Sequence, residues 1–218
     1  MTTTRTLGHL ALYYRPGDME ASRRLLQDLG CTLVENGPRP GEDGFCTVLV
    51  DDETANHADN ILFLAPVSPK QEALERAIRE QFGVDAPAGG PAAAFTDMKR
   101  DAPETASHFA LRYRELDELE KVLDAVEADT AEGGPLHGRV ELTKYRARPD
   151  LDPAVDARMA ASPAFTGDEP RAFADYWVQC FVKTDLFGYG ILAFGQTIEL
   201  DYVFEPFFRQ PPSFGRKT

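Results

Sequence analysis

Two histidines open matching segments. His9 begins His9-Leu10-Ala11-Leu12-Tyr13-Tyr14-Arg15, and His108 begins His108-Phe109-Ala110-Leu111-Arg112-Tyr113-Arg114, with five of seven positions identical. Alternation places each histidine opposite the apolar side chains of a strand. A third candidate lies near the C-terminus, where Ile198, Leu200 and Tyr202 alternate with Thr197, Glu199 and Asp201. Two imidazoles and one carboxylate converging in a cavity form a facial triad with open positions. That donor set suits Fe(II), and also admits Mn(II) or Zn(II). His9, His108 and Glu199 are therefore the expected metal ligands, with Asp201, one pleat further along, as the alternative carboxylate. The competing reading is that both histidines are duplication remnants filling polar space. His57 and His137 lie in polar stretches and read as surface residues.

The elements that must position these groups occur twice. A repeat near 100 residues is too long for a solenoid and points to a duplicated supersecondary unit. In the first half, 7–15 alternates as a strand, and Asp18 is a candidate N-cap for a helix over 19–29 stopped by Gly30. Ala21, Leu25, Leu26 and Leu29 form its apolar stripe. Strands are expected over 31–35, 45–50 and 61–67. The second half predicts a strand over 107–113, a helix over 115–128 with Leu116, Leu119, Val122, Leu123 and Val126 inward, and strands over 140–145, 177–184 and 191–203. The expected fold is α+β: two tandem βαβββ modules, 1–82 and 106–205, whose curved mixed sheets enclose a shared cavity. Helical charge patterning covers 68–82. A Pro-, Gly- and Ala-rich linker spans 83–105, and 206–218 is a tail that wraps the surface or pairs with a neighbour. The proline-punctuated stretch 146–172 is a long loop and a candidate lid.

Charge narrows the function classes. A formal charge of −13, from 23 basic and 36 acidic residues, disfavours nucleic acid and anionic membrane as partners. No apolar run is long enough to span a bilayer, and the N-terminus lacks a hydrophobic signal core. Three widely spaced cysteines, Cys31, Cys46 and Cys180, make no disulfide framework; Cys31 and Cys180 read as small core hydrophobes. A cytoplasmic protein is expected, with a homodimer possible.

The pattern resembles the vicinal oxygen chelate superfamily, which includes glyoxalase I, fosfomycin and bleomycin resistance proteins and type I extradiol dioxygenases. The likeness covers nearly the whole chain apart from the linker, the long loop and the tail. The ligand layout is most similar to that of the extradiol dioxygenases, which take one His from each module's first strand and a Glu from the last strand; that layout maps onto His9, His108 and Glu199. The family also places a substrate-bonding Tyr ten residues before the Glu, and Tyr189 stands there. The family's catalytic His at the start of the first module's last strand maps onto Asn60, which has no proton to exchange near neutral pH. His57, three residues earlier, is the nearby substitute if its loop folds back.

The resemblance implies an oxidoreductase acting on a catechol-like, aromatic small molecule through a 2-His-1-Glu iron site. Tyr189 would orient the substrate, and Tyr13 and Arg112, on the ligand-bearing faces, would line the pocket. Two alternatives stand beside it. One is a glyoxalase-type metal-dependent isomerase or lyase, disfavoured by the missing first-module Glu. The other is a metal-free protein that binds an aromatic or cationic drug.

Overall fold

The computed structural model describes residues 8–35, 44–53, 59–84, 89–188 and 195–209. His57, Tyr189 and the tail beyond 209 lie outside the described residues. The first module runs β1 (His9–Tyr14), α1 (Met19–Asp28), β2 (Thr32–Glu35), β3 (Cys46–Leu49), β4 (Ile61–Pro66). Two helices follow, α2 (Pro69–Phe82) and α3 (Pro91–Asp101), then a 3-10 turn at Pro103–Thr105. The second module runs β5 (His108–Arg112), α4 (Leu116–Thr130), β6 (Val140–Tyr145), α5 (Pro153–Ala160), β7 (Trp177–Thr184), β8 (Gln196–Val203), and a short α6 (Glu205–Phe208) closes the described chain.

Both modules build the same sheet. The strand orders are β1-β4-β3-β2 and β5-β8-β7-β6, each with its first and last strands parallel and the other pairs antiparallel. The expected α+β architecture of tandem βαβββ modules is therefore present. One face of each sheet is apolar and carries a helix. Leu12, Leu62, Leu64 and Val48 meet Leu25, Leu26 and Leu29 of α1; Leu111, Ile198, Leu200, Val178, Cys180 and Val182 meet Leu119, Leu123 and Val126 of α4. The two helix-side layers merge into one core. Cys31, Cys46 and Cys180 are all buried and unbridged, as small core side chains.

Polar contacts lock the modules together. Arg24 of α1 donates two hydrogen bonds to Asp129 of α4, and the Tyr113 hydroxyl donates to the Leu29 carbonyl at 2.9 Å. Asp18 does not cap α1 with its side chain. Its carboxylate is taken instead by Arg139 of the second module, at 3.1 and 2.9 Å. A planar guanidinium bonding two oxygens outcompetes a single backbone N–H for that acceptor.

Two connections differ from their sequence reading. The linker 83–105 is largely helical, because Pro91 at N1 and the Ala-rich run after it favour α3. The stretch 146–172 is not a free lid. Asp152 caps α5 by accepting from Ala154 and Val155 N–H, Val155 and Met159 are buried in the core, and Arg158 is ion-paired to Glu120 at 2.7 Å. Beyond it the chain returns along the edge of β6, where Ala172 N–H donates to the Arg146 carbonyl at 2.8 Å.

Candidate functional site

The second module's concave face can be read row by row from strand register. His108 lies beside Thr197, Ala110 beside Glu199, and Arg112 beside Asp201. On the far side of β8, Lys183, Phe181 and Gln179 complete the same three rows. The alternation that buries Leu111, Ile198 and Leu200 on the helix side forces these side chains onto the other face.

His108 and Glu199 meet there, with Nε2 2.9 Å from Oε2. Both partners are held. His108 Nδ1–H donates to the Ala106 carbonyl at 2.7 Å, since a carbonyl can only accept; this leaves Nε2 facing the carboxylate. Gln179 donates from Nε2 to Glu199 Oε1 at 2.6 Å, and its own Oε1 accepts from the Phe173 N–H at 2.8 Å. The returning segment after α5 thus fixes the carboxylate through one glutamine. Phe173, Tyr145 and Phe181 pack together beside it, with the Phe181 ring edge-on to His108 at 6.2 Å.

Asp201 lies against Glu199 and is buried. Burial, the Glu199 charge and a hydrogen bond to Glu199 push its carboxyl up to about 8, with Arg112 opposing. Asp201 is therefore protonated near neutrality and donates to Glu199. Its Oδ1 and the Thr197 Oγ1 are buried without a hydrogen-bond partner.

His9 occupies the equivalent position in the first module, on the concave face of β1. Its ring is tilted against Phe63 with centroids 4.7 Å apart, next to Phe45. Among the described residues, no three His, Cys, Asp or Glu side chains converge closely enough to hold a metal ion. Of the three expected ligands, His9 packs on Phe63, while His108 and Glu199 are in contact. The pair itself fits a divalent ion. Two donors about 2.1 Å from one metal at right angles stand roughly 3.0 Å apart, close to the separation seen. The Nδ1–H bond to a backbone carbonyl is also the usual outer support of a ligating histidine.

Asn60 precedes β4 at φ 57°. Asn tolerates this left-handed backbone far better than most side chains, which gives the residue a conformational reason to be there. Tyr13 and His108 both line a slot of about 280 Å³, together with Ala11, Phe109, Phe187 and Gln196. This is at the small end of ligand pockets, which run to about 300–1,000 Å³. The slot separates the edge strands β1 and β5. Arg112 is exposed on the same face as Glu199, one row beyond it. His137 is a surface residue bonded to the Thr130 carbonyl, as expected.

Gln179 escaped the sequence reading. The signal was a lone amide in the apolar strand Trp177-Val178-Gln179-Cys180-Phe181-Val182, in phase with Phe181.

No protein-family model matches the chain, and no curated protein does. Among solved structures, a glyoxalase/bleomycin resistance protein/dioxygenase from Alicyclobacillus acidocaldarius is similar over 96% of this chain and 100% of its own, at 12% identity and a TM-score of 0.38. The architecture described above rests on strand order and register, independently of that likeness. No helix of the described residues is long and apolar enough to cross a membrane.

Proposed function

We propose that the protein is a metal-dependent enzyme of the extradiol dioxygenase type, acting on a catechol-like small molecule at the His108–Glu199 pair. The observation that carries this reading is the pair itself: an imidazole with Nδ1–H committed to Ala106 and Nε2 turned to a buried, amide-held carboxylate 2.9 Å away. Fe(II) is the first candidate, with Mn(II) or Zn(II) as substitutes. His108 and Glu199 would hold it, and His9 would complete the set by leaving Phe63. A bound divalent metal would acidify a chelated substrate hydroxyl as it acidifies bound water. The chain's own residues would do the rest. Gln179 keeps Glu199 from rotating, Tyr13 lines the slot beside the pair, and Tyr189 is placed by resemblance to bond a substrate oxygen.

The test is the metal content of anaerobically purified protein beside His108→Ala, followed by oxygen uptake on a panel of catechols. The proposal expects about one iron per chain, lost in the variant, and oxygen consumption with a vicinal diol. Metal without oxygen uptake would move the reading to a glyoxalase-type isomerisation or lyase reaction. Failure to retain any first-row metal after anaerobic Fe(II) loading would overturn both. A metal-free binding protein for small aromatic molecules would then remain, a reading favoured by the packing of His9 on Phe63.

A further inference from the structure

Arg112 projects from β5 on the same concave face as His108 and Glu199. It is two residues beyond Ala110, the neighbour of Glu199, or about 7 Å along the strand. Its guanidinium lies over the Phe208 ring of α6, 5.3 Å from the centroid. Four arginines that tie this fold together are each neutralised by an acid. Arg15 meets Glu75, Arg24 meets Asp129, Arg139 meets Asp18 and Arg158 meets Glu120. Among the described residues, no carboxylate lies within ion-pair distance of Arg112, although Asp201 is its register partner. Asp201 is turned to Glu199 instead. In a chain with 36 acidic residues against 23 basic ones, this guanidinium makes no ion-pair contact among the described residues and feels the buried Asp201 only at a distance, on the face that carries the candidate site.

A guanidinium presents parallel N–H donors that match a carboxylate's two oxygens, and it is weakly hydrated enough to use them at a partly covered surface. Stacking on Phe208 restricts the side chain before any ligand arrives. The same ring, more than half exposed, offers an apolar surface next to the charge.

We infer that Arg112, propped by Phe208, is the specificity residue for a substrate bearing a carboxylate substituent, so that the ligand is an aromatic acid rather than a neutral catechol. This inference rests on the function proposed above for where the diol end sits, but its anion contact does not depend on a metal.

Calorimetric titrations of the full-length protein with catechol, 3,4-dihydroxybenzoate and benzoate provide the test, on wild type, Arg112→Met and Arg112→Lys. Wild type should bind the dihydroxy acid at least about tenfold more tightly than catechol, the size of one charge-assisted contact. Arg112→Met should erase that preference, and Arg112→Lys should restore part of it. An acid preference that survives in Arg112→Met, or catechol binding with no acid preference in wild type, overturns the inference while leaving the proposed function standing. Arg112-dependent benzoate binding with no diol affinity upholds the anion contact and removes the catechol reading. No binding of any of the three overturns both. Arg112 is exposed, so its variants should fold; an unchanged melting temperature confirms that.

Discussion

Replacing Gln179 by Leu removes the group that ties the returning segment to the site carboxylate while keeping nearly the same volume. Two bonds are lost together: the one from Gln179 Nε2 to Glu199 Oε1 at 2.6 Å, and the one from the Phe173 N–H to Gln179 Oε1 at 2.8 Å. Glu199 is only 7% exposed, so water cannot easily replace the donor it loses. A hydrogen bond to a charged group contributes about 1.5–3 kcal/mol, and a backbone N–H left without its acceptor about 1 kcal/mol. Phe173 is 43% exposed, so its N–H is the cheaper loss. The sum is roughly 2–4 kcal/mol, or about 5–12 °C in melting temperature for a chain of this size. Thermal unfolding by circular dichroism measures it. Gln179→Glu should lose more at pH 8 than at pH 5, since it sets a second carboxylate against Glu199. A melting temperature for Gln179→Leu within about 1 °C of wild type would refute the reasoning, because it would mean that the amide holds nothing.

Two further outcomes follow from other sites. Asp28, buried against Asp129 and Arg24, has its carboxyl pushed up to about 7, first by burial and then by Asp129. A raised folded-state value means stability present at low pH and lost as pH climbs from the usual carboxylate range through about 7. Asp28→Asn should therefore gain on wild type between pH 5 and pH 8 and no further above. The neighbouring Arg24 opposes the rise, and the gain, on the order of 1–2 kcal/mol, is read as the difference in melting temperature across that range. Gly195 has φ +81°, and a Cβ there would press into the Thr184 carbonyl at the entry to β8. Gly195→Ala should destabilise by about 2 kcal/mol or more in chemical denaturation and weaken ligand binding with it.

The repeat was the legible part. His9 and His108 announced two equivalent strands, and alternation along Thr197–Tyr202 correctly sent Glu199 to the concave face, because a period of two leaves no choice once Ile198 and Leu200 are buried. Helices α3 and α5 were not legible. Their stretches are rich in Pro and Gly, and the punctuation that suggested loops also caps and starts short helices, as Pro91 and Asp152 do. Strand phase could place His9 on its face but could not show what its ring would touch. Phe63, its cross-strand diagonal neighbour, decides that, through ring packing that alternation does not encode.

Manganese binding, followed by electron paramagnetic resonance on anaerobic protein, tests the central claim most directly, with wild type, His9→Ala, His108→Ala and Glu199→Gln compared side by side. The account predicts one bound Mn(II) in wild type, its loss in His108→Ala and Glu199→Gln, and a weaker site in His9→Ala. Equal binding in wild type and His108→Ala, or none in wild type at millimolar Mn(II), would contradict it.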